Sequence, residues 1–136
     1  MILITGATGF VGRSLTEKLD LDQRTYKIYG GRLEDSLKLR ADLVDVDTVI
    51  HLASAESRNR LRLLHRVDVD GTQNLLTECR TAGVKRVVAA SRLNANPNSH
   101  YALLRAKGQA ERLIRESGLE YSILRSATLF GRDDAF

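Results

Sequence analysis

Apolar and polar positions along this chain follow two alternating rhythms. Ile2 to Thr5 is a short, β-branched apolar run closed by Gly6, the pattern of a strand buried on both faces. From Phe10 to Leu19, the residues Val11, Leu15 and Leu19 return every four positions and predict a helix with those three on its covered face. Tyr26 to Tyr29 predicts a second strand, closed by Gly30 and Gly31. Leu33, Leu37, Ala41 and Val44 then predict a helix across Glu34 to Leu43, and the apolar run Thr48 to Ala53 a central third strand. A longer helix is expected over Leu63 to Ala82, with Val69, Leu75, Leu76 and Cys79 inward and Gly83 as its stop. Arg86 to Ser91 reads as a fourth strand. The loop Arg92 to Ser99 with Pro97, a helix Tyr101 to Ser117 and a fifth strand Tyr121 to Leu124 complete the chain.

Strands alternating with helices at these lengths require parallel pairing through right-handed crossovers, so the expected fold is α/β with a doubly wound, Rossmann-like parallel sheet. A length of 136 residues suits one domain, 1–136, and neither a repeat nor an interdomain linker is visible. Apolar residues at 43%, charged residues at 28% and a single proline exclude a disordered or low-complexity chain. No apolar run approaches the ~20 residues of a membrane span, and no leader pattern precedes the first strand, so a cytoplasmic protein without membrane insertion is expected. The lone Cys79, in an apolar stripe, reads as a buried thiol, and no His/Cys spacing suits a metal. The net charge of +4 comes from scattered arginines, which argues against nucleic-acid binding. Arg58, Arg60, Arg62 and Arg66 cluster before and within the long helix as a solvated face or, alternatively, as a seat for an anionic partner.

The chemistry concentrates in Gly6-Ala7-Thr8-Gly9-Phe10-Val11-Gly12, between the first strand and the first helix. Gly6 permits a tight turn, Gly9 lets the backbone approach a pyrophosphate, and Gly12 lets the helix pack closely on the strand. Unpaired N–H groups at the helix start then face a doubly negative ligand.

Thr5-Gly6-Ala7-Thr8-Gly9-Phe10-Val11-Gly12 resembles the TGxxGxxG signature of extended and atypical short-chain dehydrogenases/reductases. Asp47-Thr48-Val49-Ile50-His51-Leu52-Ala53-Ser54 is similar to the family's DxVIHLA strand, whose end lies against the cofactor. Val69-Asp70-Gly71-Thr72-Gln73-Asn74-Leu75-Leu76 resembles its NVxGTxNLL helix, with Asp68 where the family usually has Asn. Gly83 to Val88 and Ile123 to Gly131 also fit. The nearest subgroup resembles the NmrA-like and complex I accessory-subunit type, for which the resemblance implies NADP(H) binding, often without catalysis.

Two departures alter what the resemblance implies. In the family a second strand and a long linker precede the turn that borders the adenine. Here Tyr26 to Asp35 resembles that later segment and follows almost directly on the first helix. One βαβ unit is missing on this reading, which gives strand order 2-1-3-4-5 in place of 3-2-1-4-5-6. The carboxylate that would hold the adenosine ribose is then absent, and Arg32 stands near its place. Arg32 and Arg13 carry planar forks suited to a 2′-phosphate, favouring NADP(H) over NAD(H); the alternative is two solvated arginines.

The second departure concerns catalysis. The family's hydride-transferring members use a Tyr-x-x-x-Lys pair in which the lysine lowers the tyrosine pKa and holds the ribose. Aligning Lys107-Gly108-Gln109-Ala110-Glu111 with the corresponding family segment puts Leu103 where the tyrosine belongs. Tyr101 is turned well round the helix from Lys107, and shares a face instead with Arg105. Ser91 matches the family's polar strand-end position, or is merely a cap; His51 reads as a packed residue, and His65 and His100 add no ligand spacing. No catalytic residue and no metal ligand is therefore expected. The residues expected at the dinucleotide are Gly6, Ala7, Thr8, Gly9, Phe10, Val11, Gly12, Arg13, Arg32, Leu33, Ala53, Ser54 and Lys107.

Beyond Gly131-Arg132-Asp133-Asp134 the family continues into a substrate-closing domain, which is not expected in a chain ending at Phe136. The leading expectation is an NADP(H)-binding domain with little or no catalysis of its own. The alternatives are a reductase or epimerase completed by a homo-oligomeric or other partner chain, and an interaction module that has lost the cofactor.

Overall fold

Five parallel strands form one sheet in the order β2-β1-β3-β4-β5 in the computed structural model, which describes residues 1–56 and 60–132. The expected order 2-1-3-4-5 is the one observed. The strands are β1 (Ile2–Thr5), β2 (Tyr26–Tyr29), β3 (Thr48–His51), β4 (Arg86–Arg92) and β5 (Glu120–Ser126). Helices α1 (Phe10–Leu21), α2 (Ser36–Asp42) and α5 (Ala102–Glu116) fill three of the connections. The β3–β4 connection is one continuous helical run: α3 (Leu61–Leu64), a π-helical segment His65–Gly71, and α4 (Thr72–Ala82). Arg58 and the end of the chain from Asp133 to Phe136 lie outside the described residues.

Register explains where the core sits. Leu3, Val49 and Val87 lie side by side on β1, β3 and β4 and are fully buried with Leu39 and Leu43 of α2, Leu75 and Cys79 of α4, and Ile114 of α5. A right-handed crossover that reverses direction along the sheet also changes face, so α1, which leads outward from β1 to β2, takes the opposite side. That side has less cover. Val11, expected on a covered face, is 37% exposed, and Leu124 of β5 is 63% exposed.

The boundaries of α2 correct the sequence reading. Leu37 and Val44 are exposed, while Leu39 and Leu43 are completely buried, because the helix starts at Ser36 and its phase follows from there. Asp35 caps it, accepting the Lys38 N–H at 3.0 Å. The long helix buries Leu75, Leu76 and Cys79 as expected. The π-helical segment widens the turn, so that Asp68 faces inward and Val69 is only half-buried. Gly83, at φ 77, closes α4 as expected.

Candidate functional site

The glycine motif, the loop after β2 and the end of β3 meet at the carboxyl edge of the sheet, where β1 and β3 end side by side. Gly6 turns the chain at φ +73, a conformation L side chains rarely adopt, and a Cβ there would lie 2.5 Å from the Ala53 nitrogen. A Cβ on Gly12 would lie 2.3 Å from the Gly6 carbonyl oxygen, so α1 starts in direct contact with the turn. Gly9 differs from both. It sits at φ −73 as the N-cap of α1, no side chain caps that helix, and a Cβ would meet only the Gly6 oxygen at 3.3 Å.

Around this turn, Ala7 is buried, Thr8 and Gly9 are exposed, and Phe10 is half-buried against Gly131. Arg13 lies over the turn, its Nη1 donating to the Thr8 carbonyl at 3.3 Å. The loop after β2 forms a second wall. Tyr29 donates its hydroxyl to the Arg32 carbonyl at 2.7 Å, and Asn74 Nδ2 donates to the Leu33 carbonyl at 2.7 Å. Burial, and then the nearby Asp35 and Asp42, push the Tyr29 hydroxyl up to about 12, so it remains a donor. Leu33 sends its side chain into the core beneath Gly71, while Arg32 projects outward near Glu34, whose carboxylate is paired with Arg66.

Beneath the glycine turn runs a buried relay. The Ala53 N–H donates to Thr5 Oγ1 at 3.3 Å, and Thr5 Oγ1 is 2.7 Å from His51 Nδ1. On the other side His51 Nε2 is 2.9 Å from Thr72 Oγ1, which donates to the Asp68 carbonyl at 2.8 Å. Since Thr72 spends its proton on that carbonyl, Nε2 must donate and Nδ1 must accept from Thr5: the ring is neutral, with its proton on Nε2. Burial first, then the charge of Lys107, take the His51 pKa down to about 4, with Asp68 opposing.

Next to the relay lies a cluster of buried charge. Lys107 Nζ is 2.9 Å from Asp68 Oδ1 and 3.0 Å from Ser54 Oγ. Ser54 donates to Asp68 Oδ1 at 2.7 Å, and the Ala55 N–H reaches Oδ2 at 2.9 Å. Further along α5, Glu111 is 1% exposed and accepts from Ser91 Oγ at 2.6 Å, Arg115 at 3.0 Å and Arg125 at 2.7 Å. Burial opposes its charge, but the hydrogen bonds from Arg125, Ser91 and Arg115 outweigh it and hold the carboxyl below its usual range. Ser91 is thus a buried donor to a helix carboxylate rather than a strand-end cap. The cavity among His51, Asp68, Ser91, Lys107 and Glu111 measures about 20 Å³, room for a single water. A cavity of that size does not admit a dinucleotide.

Tyr101 and Leu103 are far from equivalent. Tyr101 is 76% exposed at the N-cap of α5, and Arg105 is engaged with the Ser99 and His100 carbonyls at 2.7 and 3.2 Å. Leu103 packs against the cluster of Ala55, Leu64 and Ala106. Cys79 is fully buried, and burial pushes its thiol up to about 12. Among the described residues no group of His, Cys, Asp and Glu could hold a metal, and no helix is long and apolar enough to cross a membrane. Asp68, Glu78 and Glu111 are the buried carboxylates that sequence reasoning missed. For Asp68 the one available signal was its place where the family has Asn.

A family described as NAD(P)H-binding matches residues 16–135, the stretch beginning just after the glycine turn. The chain belongs to this family. Among solved structures it is similar to UDP-N-acetylglucosamine 4-epimerase from Bacillus cereus, at 27% identity and TM-score 0.80 over 99% of this chain and 58% of that one. It is also similar to a short-chain dehydrogenase/reductase superfamily protein from Agrobacterium tumefaciens with bound NAD, at 27% identity and TM-score 0.74 over 92% of this chain and 48% of that one. Among curated proteins it is 28% identical to the mitochondrial NADH dehydrogenase [ubiquinone] 1 alpha subcomplex subunit 9 of Mus musculus, over 98% of this chain and 41% of the mouse protein. The chain thus spans about half the length of the relatives it matches. It is an NAD(P)-binding Rossmann domain related to the short-chain dehydrogenases/reductases and NAD-dependent epimerases.

Proposed function

We propose that the chain binds NADP(H) in preference to NAD(H) across the glycine turn and the adjoining ends of β2 and β3, and that alone it transfers no hydride. Gly9 carries this reading. Its φ is open to any residue, and a Cβ would meet a single atom, the Gly6 carbonyl oxygen at 3.3 Å, a tight contact that a shift of a few tenths of an ångström relieves, so the backbone does not require glycine there and packing only mildly disfavours a side chain. Room for a ligand does require it. Gly6, Ala7, Thr8, Phe10, Val11 and Gly12 complete the cradle, in which the uncapped first turn of α1 faces the pyrophosphate. Leu33, through its backbone, Ala53 and Ser54 flank the adenosine and ribose side.

Arg32 motivates the preference for NADP(H). It projects from a loop braced by Tyr29 and Asn74, and its planar fork suits a 2′-phosphate. A solved relative holds NAD, so the preference is proposed for this chain on Arg32 alone. Fluorescence titration is expected to show NADPH binding at least about tenfold tighter than NADH, with Arg32→Ala equalising the two. An unchanged ratio in Arg32→Ala would exclude that pairing and leave Arg13→Ala as the next variant.

The lack of catalysis rests on geometry around α5. Lys107 is tied to Asp68, Leu103 is packed, and Tyr101 is out in solvent. The hydroxyl beside the lysine, Ser54 Oγ, donates to Asp68, and no tyrosine stands one turn before Lys107 to act as the general acid, a contribution of roughly 10²–10⁴-fold. NADPH oxidation with aldehydes, ketones and quinones is expected at background and unchanged in Tyr101→Phe. Robust turnover that disappears in Tyr101→Phe would overturn this part of the reading.

A further inference from the structure

Withdrawing a carboxylate and an ammonium from water costs about as much as their attraction returns, so a buried ion pair is a poor device for stability alone. The Asp68–Lys107 pair is nonetheless almost wholly buried, and Asp68 has a complete shell of donors: Lys107, Ser54 and the Ala55 N–H. Ser54 Oγ also accepts the Glu56 N–H at 3.2 Å. One carboxylate thus joins the π-helical segment, α5 and the stretch of chain leaving β3. Directly upstream of Ser54, the Ala53 nitrogen is the atom against which Gly6 turns, and its N–H is held by Thr5. The backbone that Asp68 secures is therefore the wall on which the glycine turn is built.

Resting on the dinucleotide reading above, we propose that Asp68 is a positioning residue for the dinucleotide. Through Ser54 and Ala55 it fixes the wall behind the glycine turn, and Lys107 serves as its buried counter-ion instead of contacting the ligand. The wide π-helical turn is what directs Asp68 inward to do this.

Lys107→Met and the double variant Asp68→Leu/Lys107→Met, compared by NADPH titration and by urea unfolding, test the proposal. Lys107→Met leaves Asp68 its contacts with Ser54 and Ala55, and its affinity is expected within about threefold of native. The double variant replaces the pair with apolar groups and strands no charge, whereas Lys107→Met leaves the Asp68 carboxylate buried without its counter-ion, so the double variant's unfolding midpoint should lie at or above that of Lys107→Met. Its affinity is expected to fall at least about tenfold, because the wall has lost its anchor. Asp68→Asn/Lys107→Met returns an acceptor to the Ala55 N–H and should recover most of that loss.

Native affinity in a folded Asp68→Leu/Lys107→Met variant overturns the proposal. So does an equally large loss in Lys107→Met alone, which would make the lysine a direct ligand contact. If the double variant does not fold, Asp68→Ser/Lys107→Met, which is smaller and equally free of charge, takes its place with the same expected loss, and unchanged binding overturns the proposal. A native chain that binds neither NADPH nor NADH would overturn the dinucleotide reading itself, and this one with it.

Discussion

Gly9→Val is expected to fold and to lose its dinucleotide affinity by at least about 100-fold, close to 2.7 kcal/mol of binding. A side chain at this position projects into the space above the turn, with only the Gly6 oxygen near its Cβ. The stability cost is that of a poor N-cap, about 1 kcal/mol. Gly12→Ala is expected to do the reverse damage. Its Cβ would fall 2.3 Å from the Gly6 oxygen and 2.6 Å from Ala7 Cα, both backbone atoms that cannot swing aside. Prising α1 off the turn should cost about 3 kcal/mol. Urea unfolding and NADPH titration on the two variants separate the effects, and native affinity in folded Gly9→Val would refute the cradle.

Stability is expected to fall by roughly 3 kcal/mol as the pH drops from about 6.5 towards 4, through His51 alone. The sign follows from the relay. In the fold the ring is held neutral, its Nδ1 accepting from Thr5 and its Nε2 donating to Thr72. Protonation turns Nδ1 into a second donor facing a hydroxyl whose hydrogen already points at it. The unfolded chain takes up that proton near the ordinary histidine value and the folded one only near 4, so the contribution is complete above 6.5 and lost on acidification. The carboxyls held low by their partners, such as Glu34 beside Arg66 and Glu78 beside Arg40, withdraw their contributions at still lower pH. Urea midpoints measured between pH 7 and pH 4.5 on the native chain and on His51→Gln would check this. A native chain equally stable across that window would sink the relay, whereas His51→Gln should lose the slope.

The parallel sheet and the glycine turn at Gly6 were legible because both depend on local signals, whereas the order 2-1-3-4-5 followed from the resemblance of Tyr26 to Asp35 to a later segment of the family. Alternation of strand and helix imposes parallel crossovers, and glycine at three spaced positions after a buried strand leaves few other uses. The helix phases were less legible. Leu37 looked like a core residue and is exposed, because periodicity shows that a helix has an apolar stripe without showing where the helix begins. Val11 failed for a different reason: the stripe was read correctly, but the sheet face it meets is covered by a single helix among the described residues.

By itself the sequence determined the fold class and the glycine turn, since each is encoded in residues close together along the chain, and its resemblance to a known family supplied the strand order. The tertiary structure alone decided what the isolated polar residues do. Thr5, His51 and Thr72 form one relay only because β1, β3 and the start of α4 meet there. Ser54, Asp68 and Lys107 are 53 positions apart at their extremes and become one cluster through a π-helical turn that no periodicity announces. Polar residues carry no hydrophobic rhythm to betray their facing, so their partners are fixed by packing of the apolar core around them, and for that reason the pairing of Lys107 with Asp68 and Ser54 was not legible in the sequence.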